Sequence, residues 1–305
     1  MSDIATALAP ILVLILIGYG LKRSQFLPDD AWSGMEKLTY FILFPSLLIR
    51  TLGNQSLGGA PWSVMLLVVV GTVLLAAALL IAWQQLGAAV NGATFTSIFQ
   101  GGVRFNTYIA LAVAQAFLGV DGLAMAAVSA GFMIVLINLL CISAFAIWGV
   151  RARKGLRPII RDVIGNPLIL ACAVGWFLSL SGIGVPGITE DILEIIGRAA
   201  LPFGLLAVGA ALKPEAVRGH IGPILVSSVV QFGLKPAAAA LLIAVTGLSG
   251  IPAGALVICL MVPTAPSAYI LARQLGGDTP TMASIITFQT LLAFLVMPLI
   301  ALLLL

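Results

Sequence analysis

Lys235 stands in Gln231-Phe232-Gly233-Leu234-Lys235-Pro236, near the middle of an apolar run long enough to cross a bilayer. A charge at that depth costs at least about 2.5 kcal/mol, so the ammonium must face a cavity or a partner. Glu36, Glu194, Asp121 and Asp278 all fall near the ends of apolar runs, so none is placed to pair with it. A second cation, Arg104, opens the polar string Arg104-Phe105-Asn106-Thr107-Tyr108 just after Gly101-Gly102. Its long stem could instead carry the charge to water or to carbonyls. Asn106 offers one carbonyl and two amide donors, which suit a carboxylate or a cation shell. A third polar group is Pro263-Thr264-Ala265-Pro266-Ser267. Anion binding and a purely structural role are both open for the two cations, and an interhelical hydrogen bond is the plain alternative for Asn106.

These residues need elements that bring them together inside a membrane. The chain has 305 residues, 61% hydrophobic and 9% charged, with mean hydropathy +1.17. Soluble domains average roughly 25% charged residues, so this is an integral membrane protein. Runs of about 20 apolar residues fill nearly the whole length. They read as ten spans: 4–21, 32–52, 62–84, 93–118, 122–150, 163–180, 192–212, 221–246, 252–275 and 281–305. Pro263 and Pro266 each remove a backbone donor and clash with the preceding turn, so the ninth span must break there. In hydrocarbon a broken helix persists only where protein or a water-filled cavity satisfies it, and transporters place such breaks at their binding sites. Paired glycines make the fourth span the other irregular one.

The net charge of +4 reports topology rather than a nucleic-acid partner, because the basic residues cluster in short connections. Lys22, Arg23, Lys37, Arg151, Arg153, Lys154, Arg157, Arg161, Lys213, Arg218 and Arg273 all fall on one side, which makes eleven of the 15. By the positive-inside rule that side is cytoplasmic and both termini lie outside it. The first residues lack the basic start of a secretory signal, so the first run is expected to be retained. The halves also resemble each other. Pro10 and Pro45 share the spacing of Pro167 and Pro202, Gly18-Tyr19 matches Gly175-Trp176, and Asn106-Thr107-Tyr108-Ile109 aligns with Ser267-Ala268-Tyr269-Ile270. Five spans per repeat is an odd number, so the copies must be inverted, as in secondary transporters.

Enzyme chemistry finds no support. His-Glu-x-x-His, Gly-x-Ser-x-Gly and Cys/His sets are all missing from the sequence. Inverted repeats put Asp121 and Asp278 on opposite sides, which excludes a shared-proton pair. Cys141, Cys172 and Cys259 read as small buried hydrophobes. No cofactor is expected. A core carboxylate for proton-cation exchange is not apparent, while Gln100, Gln115, Asn138, Gln231 and Gln289 could ligate sodium, so the coupling ion stays open between sodium and a proton.

With these residues assembled, the chain resembles the auxin efflux carrier family, which includes PIN-type carriers and bacterial carriers of malonate-type carboxylates. The likeness rests on Leu16-Ile17-Gly18-Tyr19-Gly20-Leu21, Phe41-Ile42-Leu43-Phe44-Pro45-Ser46-Leu47-Leu48, Arg104 to Tyr108, and Pro263 to Asp278. It implies an all-α membrane fold of ten helices in two inverted five-helix repeats, like that of sodium/bile-acid symporters. Residues 1–150 form the first repeat, 151–162 a basic cytoplasmic linker and 163–305 the second. Spans 1, 2, 6 and 7 are implied to be a scaffold, and spans 3–5 and 8–10 a mobile transport domain with spans 4 and 9 crossed. Asn106 matches the polar residue of the fourth-span crossing and Pro263 the proline of the ninth. The chain departs from the family pattern in lacking a proline at the fourth-span crossing and in carrying Ser267 where many relatives have asparagine.

The expectation is a multi-pass carrier of the bacterial inner membrane that moves a small organic anion, a mono- or dicarboxylate of malonate or auxin type, by elevator-type alternating access. Arg104, Asn106, Thr107, Pro263, Thr264 and Ser267 would line the site, Lys235 would add positive potential, and Pro45 and Ser46 would form an opposing wall. The partners are this solute and the lipid bilayer, with no nucleic acid, and a homodimer is left open. The alternatives are a sodium-coupled bile-acid-like or cation transporter of the same fold, and a non-transporting receptor or assembly subunit.

Overall fold

Prolines mark several of the places where this chain departs from regular helix. The computed structural model describes residues 2–54, 61–87, 90–150, 165–217 and 219–304, and among the described residues fourteen α-helices fall along the ten expected passes. They are α1 (Ser2–Arg23), α2 (Asp29–Leu38), α3 (Phe44–Gly53), α4 (Trp62–Gln85), α5 (Gly92–Val103), α6 (Thr107–Trp148) and α7 (Pro167–Leu180). The second half continues with α8 (Gly187–Arg198), α9 (Ala200–Ala210), α10 (Ile221–Val229), α11 (Lys235–Thr246), α12 (Gly250–Met261), α13 (Ser267–Leu275) and α14 (Thr279–Leu304). The linker expected at 151–162 lies outside the described residues, as does Arg218.

The ninth pass breaks where Pro263 and Pro266 require it, with α12 ending at Met261 and α13 beginning at Ser267. Two other passes contain one widened helical turn, Thr39–Leu43 joining α2 to α3 and Val230–Leu234 joining α10 to α11. Each wide turn ends within two residues of a proline, Pro45 or Pro236. The ring cannot donate and presses on the carbonyl of the previous turn, and one extra residue in that turn makes the room. The fourth pass comprises α5 and the first part of α6, and α6 then folds back at Gly119, whose φ of 69° and ψ of −157° only glycine adopts without strain. Fourth and fifth passes are therefore joined by a single residue rather than a loop.

Helix α4 shows how the apolar passes are oriented. Met65, Val68, Val69, Thr72, Val73 and Ala76 are buried, whereas Leu66, Leu67, Leu74, Leu75 and Leu79 are exposed, a helical alternation that leaves leucine on the outside. In a bilayer that outer face meets acyl chains. The closest packing joins one half of the chain to the other: α1 to α9, α3 to α7 and α8, α4 to α11, α5 to α10, and α6 to α12. Neither half is a separate bundle, and the crossed helices sit where the two interlock.

Candidate functional site

The crossing is built from two interrupted backbones that hydrogen-bond to each other. Arg104 leaves α5 in extended conformation, and the Asn106 amide donates to the Pro263 carbonyl at 2.8 Å. Asn106 then caps α6, its Oδ1 accepting from the amides of Tyr108 at 3.0 Å and Ile109 at 3.2 Å. Asparagine is among the best residues for that position. Only 1% of Asn106 is exposed, and its Nδ2 has no hydrogen-bond partner among the described residues. A buried amide donor left unpaired costs about 1–3 kcal/mol, so it is a position at which a ligand acceptor would be favoured.

The carbonyl ends of the two preceding half-helices are, by contrast, supplied with donors. Lys235 Nζ donates to the Val103 carbonyl at 3.3 Å and to Gln231 Oε1 at 2.9 Å. Gln231 Nε2 donates to the Val262 carbonyl. From α14, Gln289 Nε2 donates to the Gly101 carbonyl at 2.9 Å while its Oε1 accepts from the Thr264 amide at 3.1 Å. Thr264 Oγ1 reaches the Gln100 carbonyl at 3.5 Å. Lys235, Gln231, Gln289 and Thr264 are all fully buried. The negative ends of α5 and α12 are thus neutralised, while α6 and α13 begin at the break with the positive ends of their dipoles.

Arg104 is half-buried and held in place, Nη1 donating to Gln100 Oε1 and Nη2 to Asn138 Oδ1, both at 2.9 Å. Among the described residues neither Arg104 nor Lys235 forms an ion pair, and no Asp or Glu is buried. A guanidinium and two helix starts give the region a positive field, to which Lys235 adds when protonated, and such a field suits an anion.

The structure brings Arg104, Asn106, Thr107, Lys235, Pro263 and Thr264 to this one region, all on the crossing or bonded to it. Ser267 is placed differently: it is exposed on the first turn of α13. Ser46 is buried, but its hydroxyl donates to the Ile42 carbonyl of its own helix at 2.8 Å, and Pro45 beside it is half-buried. Of the five side-chain amides considered as sodium ligands, Gln100, Asn138, Gln231 and Gln289 are engaged in holding the crossing and Arg104. The spacing of Gln100 to Arg104 and of Gln231 to Lys235, four residues in each case, was the sequence signal for these braces.

A cavity of about 460 Å³ opens at one end of the molecule, between α3, α8 and the Gly119 bend, and the crossing residues do not line it. Arg50, Glu190, Glu194, Arg198, Gln115 and Asp121 supply its polar wall. Arg50 pairs with Glu194 at 2.9 Å and Glu190 at 3.8 Å, and Arg198 also pairs with Glu194. Asp278 lies at the other end of the fourth pass, accepting from Thr94 Oγ1 at 2.9 Å and Thr281 Oγ1 at 2.6 Å. Burial raises the pKa of Asp278, but these hydrogen bonds and the nearby His220 outweigh it and hold the carboxyl below its ordinary value. Asp121 and Asp278 are thus at opposite ends.

The family described as Membrane transport protein matches residues 3–101 and 151–301. An uncharacterized transporter of Methanothermobacter thermautotrophicus is 24% identical over 293 residues, covering 95% of this chain and 94% of its own. Among solved structures, the sodium proton antiporter MjNhaP1 from Methanocaldococcus jannaschii superimposes with a TM-score of 0.51 at 14% identity, over 99% of this chain and 95% of that one. That likeness concerns the fold.

Proposed function

The chain belongs to the membrane transport protein family, the auxin efflux carrier group that its motifs resemble, and from that premise we propose that it carries a small organic anion, a mono- or dicarboxylate. It is a multi-pass membrane transporter and not an enzyme. One observation supports the anion: the Asn106 amide, unpartnered among the described residues, sits at the start of α6 in a crossing that Arg104 enters and Lys235 braces, and neither cation has a carboxylate partner there. Asn106 Nδ2 and the Arg104 guanidinium are the groups assigned to the carboxylate, with Thr107 beside them. Lys235 both braces α5 and adds positive potential.

The proposed mechanism is alternating access of elevator type. Passes 3–5 and 8–10, which hold the crossing, move against passes 1, 2, 6 and 7, in which α3 is tied to α8 by Arg50, Glu190 and Glu194. The cytoplasmic membrane, with both termini outside the cytoplasm, is the proposed setting.

The test is uptake of a panel of radiolabelled mono- and dicarboxylates by proteoliposomes. Saturable uptake of at least one, lost in Arg104→Ala, is the expected result. Electroneutral sodium–proton exchange with no carboxylate flux would refute the assignment in favour of a cation carrier, a reading with which the fold shared with an antiporter is compatible.

A further inference from the structure

We propose that Tyr108 is the gate between the crossing and the cavity at the Arg50 end, closed in this structure by stacking on Phe44. This rests on the transporter reading above but not on the identity of the cargo. The two rings lie 4.4 Å apart between centroids and 22° from parallel. Gly204 of α9 completes the plug from the third side. A Cβ built there would lie 2.9 Å from Tyr108 Cγ and 3.1 Å from Phe44 Cε2, so only a glycine lets the rings close.

The placement follows from helical spacing. The cavity is lined by Leu47, Leu201 and Gln115. Leu47 is three residues beyond Phe44, Leu201 three before Gly204 and Gln115 seven beyond Tyr108, so each lies on the same helix face as its plug residue, one or two turns away. On the other side of Tyr108 are Thr107 and Asn106, the first residues of the crossing. The three plug residues come from three different passes and meet between cavity and site. Two of those passes, carrying Phe44 and Gly204, are assigned to the scaffold, and the one carrying Tyr108 to the moving part. A displacement of the crossing therefore separates the rings and joins the cavity to the site.

The corresponding tyrosine of the second repeat is Tyr269, and it is packed differently. Lys213 Nζ lies over its ring at 5.0 Å, and Ser267, Ile270, Arg273 and Gln274 of the same helix are exposed. Among the described residues no aromatic ring stacks on Tyr269.

The gate is tested by cysteine accessibility, which needs no transported solute. The protein's own cysteines, Cys141, Cys172 and Cys259, are buried. Gln115→Cys reports the cavity and Thr107→Cys the space beyond the plug. A membrane-impermeant maleimide is applied to right-side-out and inside-out vesicles, and the side that labels Gln115→Cys defines the cavity face. From that face Gln115→Cys labels rapidly whatever residue is at 108. Thr107→Cys labels slowly with Tyr108 present and on the order of tenfold faster in Tyr108→Ala, because the population with an open path rises when the ring is removed. Tyr108→Phe keeps the stack and stays slow. Equal labelling of Thr107→Cys with and without Tyr108, or a Tyr108→Phe protein as open as Tyr108→Ala, would overturn the proposal. Failure of every carboxylate to be transported would leave these rates unaffected, so the two readings fail separately.

Discussion

Asn106 performs two tasks with two atoms, and substitutions can separate them. Oδ1 caps α6 and Nδ2 is the unpartnered donor assigned to the solute. In Asn106→Ser the hydroxyl still accepts from the first turn, since serine and asparagine are comparable caps, so stability should change by less than about 1 kcal/mol. The amide donor is lost. A hydrogen bond to a charged group contributes about 1.5–3 kcal/mol, so apparent carboxylate affinity should fall roughly 10- to 150-fold. Asn106→Ala loses cap and donor together, adding about 0.5–2 kcal/mol of destabilisation to the same affinity loss. Asn106→Asp keeps the cap, and its charge faces a helix start, which is favourable for folding, yet it presents an anion where the substrate carboxylate belongs. It should melt close to wild type while transporting least of the three. The assays are thermal unfolding in detergent, followed by tryptophan fluorescence, and initial uptake rates against carboxylate concentration in proteoliposomes. Wild-type uptake by a folded Asn106→Asp protein would refute the reasoning, because no anion site at this residue tolerates a second fixed anion.

Three further outcomes follow from the same geometry. Gln289→Leu orphans the buried Gly101 carbonyl and Thr264 amide, and at about 1–3 kcal/mol each it should destabilise the protein by about 2–6 kcal/mol, read as a lowered melting temperature. Lys235→Met loses donors to Val103 and Gln231 but also relieves an ammonium whose burial costs at least about 2.5 kcal/mol. The two effects largely offset, so its stability should stay within about 3 kcal/mol of wild type while carboxylate uptake falls, and unchanged uptake would reduce Lys235 to a brace. Asp278, lowered in the folded protein, stabilises above the ordinary carboxylate pKa of about 4, and this contribution is lost as pH falls through its folded value. Melting temperature against pH should therefore fall less steeply below about pH 4 in Asp278→Asn than in wild type.

The break at Pro263 and Pro266 was legible because a missing amide is a property of the residue itself, whatever surrounds it. The fourth-pass break was legible only in part. Gly101 and Gly102 remain helical, and their missing side chains admit Ile285, Ser227 and Leu80, while the interruption comes at Arg104–Asn106 and is stabilised by Asn106 as a cap. Lys235 stood out because a charge in an apolar run demands an explanation, but its bond to Val103 joins residues 132 positions apart and no local pattern encodes that distance. Gln231 and Gln289 looked like free ligands for the same reason: an amide in a span shows that it needs partners without showing which ones. The Phe44–Tyr108 stack was invisible, since aromatic residues in membrane helices are common and only the third surface, Gly204, makes this pair a plug.

The bracing of α5 has a consequence for how the protein is made. Val103 leaves the ribosome 132 residues before Lys235, and Gly101 leaves 188 residues before Gln289. At synthesis rates of about 5–20 residues per second these carbonyls wait roughly 7–26 s and 9–38 s for their donors. Both donors are encoded in the second half of the chain. A nascent chain halted after five passes holds an unfinished crossing that its own half does not complete, so biogenesis depends on keeping the early passes sheltered until the late ones arrive.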